Sequence, residues 1–256
     1  MCLILLANHI HPDYPLVLAA NRDEFHARPT RAAQWWGSQP NLLAGQDLTA
    51  GGTWLGITDS GRIAAITNYR EPTTNIPTVQ SRGKLTTEFL QHHISAEDYY
   101  QQLLSQRQCF NGYNLLFGSV DELHYFSNRG AGPANLLPSI YGVSNHLLDT
   151  PWPKVEKGKM ALSEALAQPE LDTETLWRLL SDSVIAPDSD LSDTGIGIEW
   201  ERLLSAIKIS GDHYGTRTST LLLARRDGNI FFSERTLVPD TAATERTFSF
   251  TLPKKR

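Results

Sequence analysis

Short apolar runs, rather than strict alternation, mark the start of this chain. Residues 2–8 (CLILLAN) and 16–21 (LVLAAN) are almost wholly apolar and are separated by two prolines and an aspartate. This pattern predicts two strands joined by a turn, both covered on two faces. Residues 53–58 and 62–68 predict a second hairpin around Asp59-Ser60-Gly61. The period then lengthens. Residues 85–92 carry Leu85, Phe89 and Leu90 at helical spacing. Ser95 is a candidate N-cap for a helix through Leu104, with Ala96, Tyr99, Tyr100, Leu103 and Leu104 on one face. Strands are expected again at 113–118, 123–127 and 140–144. Amphipathic helices are expected at 154–167 and 173–183, the second capped by Thr173. Residues 186–197, rich in Asp, Ser and Gly, read as a loop that covers a site. A last hairpin, 218–224 with 230–234, turns at Asp227-Gly228-Asn229. Strands and helices are segregated, so the expectation is an α+β fold in one domain spanning 1–256, not an alternating dinucleotide-binding pattern.

Composition narrows the function classes. The 256 residues carry a net charge of −5, with 40% hydrophobic and 20% charged positions, as in ordinary globular proteins. No basic excess points to a nucleic-acid partner. With two cysteines, Cys2 and Cys109, a disulfide scaffold is excluded. The apolar run 3–7 is too short for a secretion signal, and no stretch reaches the roughly 18 apolar residues of a membrane span. A cytoplasmic protein without a transmembrane segment is expected. The pattern does not set an oligomeric state.

The candidate chemistry starts at Cys2. Removal of Met1 ahead of a small residue exposes an α-amine beside the thiol, and an α-amine titrates at about 7.7–8.0. One residue then supplies nucleophile and base. Position alone favours the other reading, a small packing cysteine. Asn21-Arg22-Asp23-Glu24 ends the second predicted strand, and a hairpin returns it to Cys2. Asp23 there can hold an ammonium, and Arg22 can favour a thiolate. Asn68 and Asn145 each end an apolar strand; fixed amides are good oxyanion donors, though strand-end asparagines are more often turn residues. Arg217 lies at a strand entry, suited to a carboxylate, a phosphate or a buried acid. Gly51-Gly52-Thr53-Trp54-Leu55-Gly56 reads as a tight turn with a packed tryptophan. His9, His11, His92 and His93 lack metal-site spacing, so no metal is expected. Spacing does not exclude haem, which needs one or two axial ligands.

Together, MCL at the start, NRDE at 21–24, GGTWLG at 51–56, TNYR at 67–70, SRG at 81–83, YNLL at 113–116, GVSN at 142–145 and YGTRTST at 214–220 closely resemble the NRDE family, that of transport and Golgi organisation protein 2. The resemblance runs from residue 1 to about residue 235. It implies an N-terminal-nucleophile hydrolase fold, a four-layer αββα sandwich of two mainly antiparallel sheets, distantly similar to cholylglycine hydrolase and penicillin V acylase. Carried over by position, it implies Cys2 as nucleophile and Asp23 as the acid near its amine. Asn68 and Asn145 become oxyanion and amine-positioning residues, and Arg217 the arginine near the nucleophile. In those amidases the second-strand arginine and aspartate lie three residues apart. Here Arg22 and Asp23 are adjacent, and Ala20 stands at the arginine's place.

Two functions follow as expectations. The first is a cysteine amidohydrolase that cleaves a C–N amide bond of an acyl-type substrate and requires no cofactor. The second, implied by the family's roles in haem trafficking and acyl-coenzyme A or lipid metabolism, is a non-catalytic carrier. It would use the same cleft for haem or an acyl-coenzyme A ligand, with Arg22, Trp35, Trp36 and Tyr69 as ligand-binding residues.

Overall fold

A computed structural model describes residues 2–37, 41–71, 80–130, 134–239 and 241–253; Met1, whose removal the amine chemistry requires, lies outside them. In chain order the elements begin with β1 (Cys2–Asn8), β2 (Leu16–Phe25), β3 (Thr30–Trp35), β4 (Leu42–Asp47), β5 (Leu55–Thr58) and β6 (Arg62–Asn68). Then come α1 (Gly83–Gln91), α2 (Ala96–Ser105), β7 (Tyr113–Ser119), β8 (Leu123–Ser127), β9 (Ala134–Asn135) and β10 (Ser139–Val143). The chain continues with α3 (Pro153–Leu166), α4 (Thr173–Leu180), α5 (Ile198–Ser205), β11 (Tyr214–Ala224), β12 (Asn229–Thr236) and β13 (Thr244–Thr251).

The strands form two antiparallel sheets, a six-stranded one in the order β10-β1-β2-β11-β12-β13 and a seven-stranded one in the order β3-β4-β5-β6-β7-β8-β9. The apolar runs follow from the layering. Along β1 and β2, Ile4, Leu6, Leu16, Leu18 and Ala20 face the second sheet, while Leu3, Leu5, Ala7, Val17 and Ala19 face α3 and α4. Both faces are buried, so residues 3–7 and 16–20 are all apolar, and each large side chain so buried contributes about 1.5–3 kcal/mol. Helix α3 lies close on β1: a Cβ added at Gly158 would sit 2.8 Å from the Leu5 methyls. On the far side, α1 and α2 pack Phe89 and Tyr99 against Phe117 of β7. The result is the αββα layering that the sequence resemblance implied.

Several elements differ from expectation. Strand β3 buries little beyond Ala33, and edge strand β13 is mostly exposed, so neither carries a strong apolar signal. Helix α4 is capped by Asp172, whose carboxylate accepts from the Glu174 N–H at 3.0 Å, and Thr173 becomes its first helical residue. Residues 186–197 are tied to α5, where Glu201 accepts from the Thr194 N–H and hydroxyl. Among the described residues no helix is long and apolar enough to cross a membrane.

Candidate active site

The first and second strands place the site. The β1–β2 ladder sets Cys2 directly across from Arg22. Strand β1 stops there, while β2 continues through Asp23 to Phe25, paired on its other side with β11. Strand β11 bulges between Thr216 and Thr218, opposite the Arg22–Asp23 junction. Strict alternation would send Arg22 and Asp23 to opposite faces. With one neighbour ended and the other bulged, both line a single cavity of about 140 Å³ together with Cys2 and Asn68. Glu24, Arg28, Asp47, Trp54 and Arg82 complete most of its wall.

Arg22 spans the two sheets. Its guanidinium donates to Thr30 Oγ1 at 3.2 Å and Asp47 Oδ2 at 3.1 Å, and lies 4.4 Å over the Trp54 ring. Arg28 Nε donates to the same Asp47 oxygen at 2.6 Å. Burial works against the Asp47 charge, but the hydrogen bonds from Arg28 and the Ala50 N–H hold its carboxyl below the ordinary range.

Burial dominates at Cys2 as well and pushes the thiol above its ordinary value; the Asp23 carboxylate adds to this, while Arg22 and the Asp23 backbone N–H oppose it. The resting sulfur is therefore a thiol that needs a base to ionise. Asp23 is 1% exposed. Burial raises its pKa, opposed foremost by Lys154 and also by the Thr216 hydroxyl, which donates to Asp23 Oδ1 at 2.7 Å. Tyr214 OH donates to the Asp23 carbonyl at 3.1 Å.

The two strand-end asparagines separate in role. Asn68 faces the cavity, and among the described residues its side-chain amide carries no hydrogen bond. Asn145 is fully buried and donates from Nδ2 to the Asn68 carbonyl at 2.9 Å. Its neighbour Ser144 donates to the Cys2 carbonyl at 3.0 Å. Asn145 thus fastens the end of β6 to the first sheet beside the cavity.

The remaining candidates lie off the cavity wall. Arg217 donates from NH1 to the carbonyls of Phe25, His26 and Arg28, gathering the turn after β2. Trp35 packs on Phe250 with centroids 5.2 Å apart, Trp36 donates to the Ala44 carbonyl, and Tyr69 stacks near His146. Two residues not anticipated belong to the neighbourhood. Arg82 precedes α1, lines the cavity and couples electrostatically to Cys2. Lys154 is 2% exposed beneath it. Its one sequence signal was a cation in the first turn of a predicted helix, where the helix dipole disfavours it. Among the described residues, no group of three or more His, Cys, Asp or Glu side chains is arranged to hold a metal.

Comparison with known proteins agrees with this architecture. The sequence pattern of Transport and Golgi organisation 2 matches residues 1–239. The mouse Transport and Golgi organization 2 homolog is 36% identical, over 98% of this chain and 99% of its own. The human homolog is 36% identical over 98% and 99%. The Drosophila melanogaster protein is 27% identical over 93% and 92%. Among solved structures, a Caenorhabditis elegans N-acylethanolamine-hydrolyzing acid amidase ortholog superposes with a TM-score of 0.54 at 10% identity, covering 87% of this chain and 92% of that one. That likeness is one of fold, the N-terminal-nucleophile hydrolase sandwich. With the family pattern matched through nearly the whole chain and relatives above the threshold of chance likeness along their full length, the chain belongs to the Transport and Golgi organisation 2 family.

Proposed function

We propose that this protein is a cysteine amidohydrolase that cleaves a linear amide through Cys2. The observation that carries this reading is the convergence of Cys2, Asp23 and Asn68 on one cavity. With Met1 removed, the Cys2 α-amine takes the thiol proton, and the thiolate attacks the amide carbonyl carbon. The unengaged Asn68 amide donates to the developing oxyanion. The amine product leaves with the proton returned by the α-ammonium. Water then attacks the thioester and releases the acid. Asp23 holds the α-ammonium, Asn145 positions Asn68, and Arg217 positions the turn after β2.

Intact mass of protein from cells, followed by incubation with a panel of acyl amides, tests the proposal. Loss of Met1, a thioester adduct on Cys2 and turnover abolished by Cys2→Ala are expected. Quantitative retention of Met1 overturns the mechanism.

The carrier reading fares less well on fit. The cavity beside Cys2, at about 140 Å³, is below the roughly 300 Å³ at which small-molecule pockets usually begin, and six of its fifteen lining residues are charged. Among the described residues, Trp35, Trp36 and Tyr69 are not part of its lining.

A further inference from the structure

Lys154 is, among the described residues, the one lysine that is buried, and its Nζ has no hydrogen-bond partner. An ammonium removed from water without hydrogen bonds costs several kcal/mol. Its place makes this worse. Lys154 is the second residue of α3, which begins at Pro153 and has no side-chain cap, so the positive end of the helix dipole opposes a cation there. A methionine of similar length would bury the same stem without either cost. The position therefore asks what the charge does.

The surroundings supply charges, none of them in hydrogen-bond contact with Nζ. Helix α3 packs on β1, where Gly158 touches Leu5, and Lys154, one turn earlier in the helix, couples electrostatically to Cys2 at the start of that strand. The charged and titratable groups that act on it are Asp23 of β2, Cys2 of β1, Arg70 beyond β6 and Glu201 of α5. Glu201 is engaged by Arg70 at 2.7 Å and by Thr194. Asp23 is the strongest charged neighbour of Lys154, and Lys154 is the strongest charged neighbour of Asp23.

We propose that Lys154 is a positioning residue: its buried ammonium is the counter-ion that keeps the Asp23 carboxylate charged beneath Cys2. Thr216 fixes one oxygen of that carboxylate, and Lys154 supplies the charge that offsets its burial. Burial draws the Lys154 pKa down to about 8, so the pair sits close to losing a charge near neutral pH. This inference deepens the amidohydrolase reading, because an ionised Asp23 is what the α-ammonium of Cys2 needs. The electrostatic coupling of Lys154 to Asp23 does not itself require turnover, and its test is independent of any substrate.

The test uses full-length protein labelled with ¹³Cε-lysine and titrated by NMR. Lys154, assigned with Lys154→Arg, is expected to titrate well below the other lysines. Asp23→Asn, which keeps the Thr216 hydrogen bond, is expected to lower that midpoint by a further unit or more. An unchanged midpoint in Asp23→Asn overturns the pairing. A second readout is the pH profile of Cys2 alkylation, followed on the Cys2 peptide by mass spectrometry. Lys154→Met is expected to move the profile by at least half a unit, and Lys154→Arg to restore it. Superimposable profiles for folded Lys154→Met and wild type overturn the positioning role. Loss of hydrolysis with both readouts as expected would count against the amidohydrolase reading alone.

Discussion

Arg22 stands across the β1–β2 ladder from Cys2, and its guanidinium crosses to the other sheet, shared between Asp47 and the face of Trp54. One side chain therefore joins the sheet of the proposed nucleophile to the wall opposite it.

Replacing Arg22 by methionine is expected to cost about 3 kcal/mol, because a buried cation is removed while its acidic partners stay. Arg22→Lys should recover only part of this, since an ammonium cannot reach Thr30 and Asp47 together as a planar fork does. Chemical denaturation of the three proteins checks the order. Equal stability for the lysine and arginine forms would show that charge alone matters.

The asparagines should part company on mutation. Asn68→Ala is expected to change stability by no more than about 0.5 kcal/mol, since its amide holds nothing. Under the proposed mechanism it should slow acylation of Cys2 about 100-fold. Asn145→Ala breaks the bond to the Asn68 carbonyl and should cost about 1–3 kcal/mol. Paired stability and acylation measurements separate the two; the reverse ranking would exchange their roles.

Glu234 sets a pH dependence. It is 2% exposed between the sheets, accepts from the Ala33 N–H at 2.7 Å, and burial pushes its carboxyl up to about 7. The folded state therefore binds a proton that the unfolded chain has released between the ordinary glutamate value and about pH 7. Stability from this group is full below that window and falls as pH rises through it. Glu234→Gln keeps the hydrogen bond and removes the titration. It should match wild type near pH 4 and exceed it near pH 8 by on the order of 3 kcal/mol. Thermal unfolding from pH 4 to 8 measures this, and parallel curves would contradict it.

Gly52 should not accept a side chain. A Cβ there would lie 2.5 Å from the backbone carbon and oxygen of Gly83, which cannot swing aside as a side chain would. Gly52→Ala is expected to cost about 1–3 kcal/mol through this overlap. Gly37→Ala, where a Cβ meets nothing within 4 Å, is the control.

Local pattern made β1, β2, β6 and the Ser95 cap readable, because each signal lies within its own segment. The hairpin argument also brought Asp23 back to Cys2. What local pattern could not supply was the third dimension at the strand ends. Adjacent Arg22 and Asp23 look incompatible with one site until β1 is seen to stop and β11 to bulge. Asn68 and Asn145 look equivalent until one is found donating to the backbone of the other. Lys154 was read as part of an amphipathic helix, and its burial depends on how α3 lies on β1. Arg82 was noticed only as part of a motif, since its approach to Cys2 depends on the contact between Gly52 and Gly83. Trp35 and Trp36 looked like pocket linings by residue type alone, but Trp35 packs on Phe250 and Trp36 donates to the Ala44 carbonyl, away from the cavity.

The bond from Asn145 to the Asn68 carbonyl runs between the two sheets, at the edge of the cavity. The gap between them is thus gauged there by the length of one amide. A molecule seated in the cavity would touch both sheets at once and act as a wedge or a rivet in that seam. A true substrate analogue should therefore announce itself before any turnover is seen, by slowing amide exchange in β1 and β6 together.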